Sequence, residues 1–107
     1  MLYEMRTYEV VPGRMPQMHA RFANHTLGFF RKHGIRVVGF WEAAIGTSNV
    51  LHYLLSWDDL GHRERAWSAF QSDPEWPGVR DESQRDGPIV ARVRNEIWQP
   101  TAYSPMK

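Results

Sequence analysis

Glu4, Arg6 and Tyr8 recur at a spacing of two, the period that puts side chains on one face of a β-strand. A carboxylate, a guanidinium and a phenol in that array have two uses. They pair with opposite charges on a neighbouring strand and fix its register, or they form the polar floor of a cavity in which Arg6 holds a carboxylate or other anion. Arg92, Arg94 and Glu96 repeat the spacing near the far end of the chain and are the natural partners for the pairing account. His52 stands between Leu51 and Tyr53. An imidazole with its ordinary pKa of ~6.5 can move protons at neutral pH, although a strand histidine more often only donates to a carbonyl. His25 lies between Phe22 and Phe29, where a buried, hydrogen-bonded ring is the plain account and a cleft-facing one the sharper. Trp41, two residues after Gly39, and Trp76 are the aromatics best placed to wall a pocket between helices and sheet.

Other chemistries are set aside by what the chain lacks. With 107 residues and no Cys, it has no disulfide scaffold, thiolate metal site, iron–sulfur cluster or cysteine nucleophile. His19, His25 and His33 do not make the i, i+4 pair of a helical zinc site, and no haem motif accompanies His25. There is no Gly-rich phosphate loop, nucleophile-elbow Ser or EF-hand pattern, so neither cofactor nor metal is expected. A formal charge of +1 gives no reason to expect nucleic acid or an anionic membrane as partner. The start of the chain has no signal-peptide pattern and no apolar run approaches a membrane span, so the expected location is cytoplasmic.

The elements that must position these residues follow from periodicity. Leu2 to Val10 alternates and stops at Pro12-Gly13, a strand and a turn. From Arg14 the apolar residues Met15, Met18, Phe22, Phe29 and Phe30 recur at helical steps until Gly34. Val37 opens a second strand expected to run to about Gly46, and Val50 to Trp57 reads as a third. Asp58 or Ser56 is the expected cap of the next helix, with Leu60, Trp67 and Phe70 inward. Asp73 and Pro74 restart a helix as N-cap and first residue, with Trp76 and Val79 inward. Gly87-Pro88 breaks it, Ile89 to Trp98 is the last strand, and Gln99 to Lys107 is a tail.

The order strand-helix-strand-strand-helix-strand, across residues 1–107 as one domain, is the α+β, ferredoxin-like split βαβ arrangement. It has a four-stranded antiparallel sheet with both helical crossovers on one face. Apolar residues on both faces of the second and third strands leave a sheet face that the helices cannot cover. The expected partner is a second copy, sheet facing sheet. The five Trp of this short chain are then mostly core.

Tyr3-Glu4-Met5-Arg6-Thr7-Tyr8 followed by Pro12-Gly13 resembles the opening of NIPSNAP-domain proteins. Gly39-Phe40-Trp41 with Gly46, Asn49 with His52, Arg63-Glu64-Arg65, Asp73-Pro74-Glu75-Trp76, and Asn95 with Ser104-Pro105 extend the likeness over nearly the whole chain. The resemblance implies a dimeric α/β barrel of the compact, single-domain bacterial type, without the transit extension of the mitochondrial animal members. It implies little about activity, because the family's chemistry is poorly defined. Three readings follow. The first is a homodimer binding a small organic ligand in the helix–sheet cleft through Arg6, Tyr8, Glu4, Trp41, His25 and Trp76. The second is a cofactor-independent monooxygenase or isomerase with His52 in proton transfer and Arg6 and Tyr8 orienting the substrate. The third is a non-catalytic structural or protein-interaction module.

Overall fold

A computed structural model describes residues 1–107. Strands β1 (Leu2–Val10), β2 (Arg36–Trp41), β3 (Val50–Trp57) and β4 (Val90–Trp98) form one antiparallel sheet in the order β2-β3-β1-β4. The first crossover carries α1 (Met15–Arg21), a π-helical stretch (Phe22–Thr26) and α2 (Leu27–Lys32), and the second carries α3 (Leu60–Gln71) and α4 (Trp76–Ser83). This is the ferredoxin-like topology, with the first and last strands side by side at the sheet's centre and edge.

The period of two sorts each strand. Leu2, Glu4, Arg6, Tyr8 and Val10 of β1 share the helix-facing side with Leu51, Tyr53, Leu55 and Trp57 of β3, as their cross-strand partnering requires. Under the helices Phe22, Phe30, Tyr53, Trp57 and Phe70 interlock, with ring centroids 5.3 Å apart for Phe22 and Tyr53 and 5.5 Å for Phe30 and Phe70. Burying each such ring is worth about 1.5–3 kcal/mol. This aromatic layer is the middle of the core, and Val10, Met18, Ile35, Leu51, Leu55 and Ile89 fill in around it.

The local structure departs from simple periodicity at several places. The first crossover is not one regular α-helix: over Phe22–Thr26 it widens into π geometry, with the Thr26 hydroxyl donating to the Arg21 carbonyl at 3.3 Å. The wide turn lets Phe22, Thr26 and Phe30, four residues apart each time, all turn inward. β2 stops at Trp41 rather than near Gly46. Glu42 is drawn off to His19 on α1 (3.1 Å), and Ile45 projects into solvent with nothing to pack on. Within β2 a bulge lies between Val37 and Gly39. The extra residue lets Val37 and Phe40, an odd number apart, both face the helices.

At the start of α3 the cap is Asp59, not Asp58 or Ser56. The Asp59 carboxylate accepts from the His62 amide at 2.7 Å, while Asp58 reaches Arg36 instead. Leu60, the first residue of α3, is exposed, and Ala66, Trp67 and Phe70 carry the inner face. α4 begins at Trp76. Asp73 still serves that turn by accepting from the Glu75 amide (2.9 Å), and it also binds Lys32 (2.8 Å) and His33 (2.7 Å), tying the end of the first crossover to the second.

The helical layer covers one side of the sheet only. Principal extents of 46 × 38 × 19 Å describe a slab one sheet and one helix thick. Its radius of gyration is 14.6 Å, against about 13 Å for a compact chain of this length. The open face carries Met5, Thr7, Glu9, His52, Leu54, Trp41, Arg92, Arg94, Glu96 and Trp98, an amphiphilic rather than wholly apolar surface. The helices also stop short of β4, where Val93 and Ile97 remain exposed.

Candidate functional site

A carboxylate on a central strand under a helix must find partners or become neutral. Glu4 is fully buried, and both of its oxygens are occupied. Oε1 accepts from Arg63 Nε (2.8 Å) and Trp57 Nε1 (3.0 Å). Oε2 accepts from Asn95 Nδ2 (2.9 Å), Arg63 Nη2 (3.1 Å) and Arg6 Nη1 (3.1 Å). Burial by itself would raise this carboxyl, but the hydrogen bonds from Arg63 and Asn95 and the charges of Arg6 and Arg63 outweigh it and bring the pKa down to about 2. With every lone pair engaged, Glu4 has no capacity left to take a proton from a substrate. It anchors the site.

Arg6 is the side chain that Glu4 holds in place. Its Nε donates to the Tyr53 hydroxyl at 2.8 Å, and that hydroxyl lies 2.8 Å from the hydroxyl of Tyr8. The guanidinium lies over the Trp67 ring, 4.7 Å from its centroid, in cation–π contact. Burial, with Tyr8 alongside, pushes the Tyr53 hydroxyl well above its ordinary value, against the opposing pull of Arg6. Tyr53 therefore stays a neutral phenol that accepts from Arg6 and shares a proton with Tyr8. The arrangement can receive an anion. It offers no free base.

The middle of the helix–sheet cleft is filled by the aromatic layer, and openings lie around its edge. A polar mouth of about 310 Å³ beside α3 is lined by Arg6, Arg63, Trp67 and Gln71. An apolar mouth of about 280 Å³ lies beneath α1, with Phe22, Leu27, Phe40 and Leu51 around it. No three His, Asp or Glu side chains converge as metal ligands.

The residues singled out in the sequence are thus divided among several places. Glu4, Arg6 and Tyr8 come together under the helices. Their expected cross-strand partners do not join them: Arg92, Arg94 and Glu96 are on the opposite face, because they stand opposite Glu9, Thr7 and Met5 in the register. Pairing there is between Arg92 and Glu9 (3.2 Å), while Glu4 draws its cations from its own strand and from α3. His52 is also on the open face, with its Nδ1 3.1 Å from the Thr7 hydroxyl, so within one chain it shares no cavity with Arg6 and Tyr8. Trp41 stands opposite His52 in the register, yet at the end of β2 it also borders the apolar mouth beneath α1. Its ring folds back over Gly39 so closely that a Cβ there would lie 2.8 Å from its edge. His25 is exposed on the outer side of the π-helical stretch, not buried, and Trp76 packs on Phe29 and Phe70 beneath α4. Sequence reading gave no site role to Tyr53, Arg63, Asn95 or Trp67. The alternation of β3 was the one signal for Tyr53. Spacing does not mark Arg63 or Asn95, which carry the family likeness but reach Glu4 from 59 and 91 residues away.

A βαββαβ chain with this sheet order belongs to the ferredoxin-like α+β class, and its likenesses to known proteins are specific. The NIPSNAP family model matches residues 3–105, and the chain belongs to that family. It is 28% identical over 106 residues to Protein NipSnap homolog 2 of Danio rerio, covering 99% of this chain but 35% of that protein. The chain thus spans about a third of the length of the curated relatives it matches. A NIPSNAP domain protein from Burkholderia xenovorans shares 28% identity at a TM-score of 0.85, over 98% of this chain and 99% of that one. A NIPSNAP family protein from Agrobacterium tumefaciens superposes at 0.87, with 24% identity over 100% of this chain and 94% of that one. A putative antibiotic biosynthesis monooxygenase from Bordetella bronchiseptica has the same fold, with a TM-score of 0.67 at 17% identity over 94% of this chain and 96% of that one.

Proposed function

We propose that this NIPSNAP protein is a sheet-to-sheet homodimer that binds a small organic anion in the polar mouth of the helix–sheet cleft. The observation that carries the reading is the state of Arg6. Its Nη2 has no acceptor nearer than the Tyr8 hydroxyl at 3.5 Å, and its side chain keeps 16% of its surface open at the floor of the mouth. Trp67, which walls the mouth, holds a buried indole N–H with no partner. A carboxylate entering there meets a charged donor and an aromatic wall, and a charge-assisted bond of this kind contributes about 1.5–3 kcal/mol. The partner copy covers the amphiphilic open face of a slab only 19 Å thick. Arg92, Arg94 and Glu96 then set the register between the two sheets.

Two measurements test it. Titration with benzoate, followed by the Trp67 indole N–H resonance, shifts that signal saturably in the native protein. The shift is lost in Arg6→Met and retained in weakened form in Arg6→Lys. A Trp67 signal that ignores benzoate would remove the ligand reading. Sedimentation equilibrium gives a dimer at micromolar concentration, which Trp41→Glu dissociates without loss of secondary structure. A folded native monomer under those conditions would remove the dimer.

A further inference from the structure

A second cavity, of about 530 Å³, lies outside the helix–sheet cleft, between the first crossover and α4. That volume falls within the range of about 300–1,000 Å³ that holds small organic ligands. Arg21, Asn24 and His25 line it from the first crossover, and Val79 and Ser83 from α4. We propose that this groove is a binding site for the oxyanion of a small organic acid, with Arg21 as the cation that holds it.

The argument rests on Arg21 having no counter-ion. Most other cations drawn into the helical layer are better matched: Arg6 and Arg63 face Glu4, Lys32 and His33 face Asp73, and Arg14, which has no carboxylate either, donates to the Gly87 carbonyl at 2.8 Å. No carboxylate comes within ion-pair distance of Arg21. Its Nη1 donates to the Ser83 hydroxyl at 3.2 Å, its Nε is buried without an acceptor, and its charge lies 5.9 Å from the centre of the Trp76 ring. Nη2 is left without a partner. Burial works against the charge, and the neighbouring Arg80 adds repulsion, so the guanidinium pKa is lowered. A half-buried cation in this state is a loss to the fold unless an anion arrives from outside.

The rest of the lining suits that anion. Glu82 and Asp86 on the rim do not supply it, because they are turned to Arg85 at 2.9 and 4.0 Å. The π-helical stretch begins at the residue after Arg21, and its exposed side presents the Asn24 amide and the His25 ring to the groove. Such stretches are energetically poor and are often kept where they shape a site. Ala20 and Val79 give an apolar wall for the body of the ligand. An aromatic or short-chain carboxylate fits this combination of one cation, polar edges and a small apolar wall.

The site stands independently of the Arg6 mouth, and the experiment separates the two. Benzoate and inorganic phosphate are titrated into the whole chain while the His25 ring and the Trp76 indole resonances are followed by NMR. Saturable shifts at both residues are expected with benzoate, weakened by salt. Arg21→Met makes binding about ten- to hundredfold weaker, Arg21→Lys retains part of it, and Arg6→Met leaves it unchanged. Because an unpartnered cation is removed, Arg21→Met keeps or raises the melting temperature. Phosphate shifting the same two resonances more strongly than benzoate would still support an oxyanion site and would assign it to phosphate esters. Absence of saturable shifts with either probe, or shifts that persist undiminished in Arg21→Met, would overturn the proposal.

Discussion

Glu4 and Arg63 meet through two parallel hydrogen bonds, 2.8 Å from Nε to Oε1 and 3.1 Å from Nη2 to Oε2, joining the first strand to α3. The fork geometry makes this the strongest of the links to Glu4, and the other three donors complete a shell around a carboxylate with no access to water. Removing one member of a buried pair leaves the other uncompensated. Glu4→Ala should therefore destabilise the fold by about 3–5 kcal/mol, as measured by urea unfolding.

The same shell sets a pH dependence. The Glu4 carboxyl is lowered from 4.5 to about 2 in the folded chain. Because the folded value is the depressed one, the stabilisation is fully present above the unfolded value and is lost as pH falls from about 4.5 toward 2. Its size is about 3 kcal/mol. Unfolding free energies measured across that window should fall steeply for the native chain. In Glu4→Gln, already weakened at neutral pH, this part of the fall should be missing.

The two tyrosines beneath Arg6 should respond unequally. Tyr53→Phe leaves the buried Arg6 Nε without its acceptor at 2.8 Å and should cost about 1–3 kcal/mol. Tyr8→Phe gives up only a 3.5 Å contact to Arg6 and one shared hydroxyl bond, and should cost about 0.5–1.5 kcal/mol. Thermal unfolding of the pair orders them. An equal loss would mean that Arg6 is held by Glu4 alone.

Gly39→Ala tests the close approach on the open face. An added Cβ would fall 2.8 and 3.0 Å from two carbons of the Trp41 ring. Within one chain the ring is half exposed and gives way to the Cβ, so the fold should lose less than about 1 kcal/mol. Sedimentation equilibrium should show a weaker dimer, because the displaced ring lies in the proposed sheet-to-sheet contact. Trp41 emission should shift to the red, read as the difference from a Trp41→Phe background.

Much of this architecture was legible in the chain. Alternation from Leu2 to Val10, helical spacing from Met15 to Phe30, and the breaks at Pro12-Gly13 and Gly87-Pro88 give the order of elements, and that order admits few topologies. The bulge at Val38 and the π-helical stretch after Arg21 were not legible. Each inserts a residue where tertiary packing of Phe40 or Phe22 demands it, and no local signal marks the insertion. The candidate site was legible on one strand only. Glu4, Arg6 and Tyr8 announce themselves by spacing, whereas Trp57, Arg63 and Asn95 arrive through pairing and packing over long separations. His52 illustrates the parity rule: one position along a strand separates it from Tyr53 and places it on the other side of the sheet.

β4 pairs only with β1, so the first strand of this domain is completed by its fourth. On a ribosome, β1 waits until all three intervening crossovers and turns of the domain have emerged before its outer neighbour exists. Until then the Glu4 carboxylate lacks Asn95, and before α3 emerges it lacks Arg63 as well. Non-local closure of this kind slows folding. It also makes the sheet sensitive to truncation: a domain cut before β4 keeps an ionised carboxylate short of a partner and leaves β1 with one bare edge.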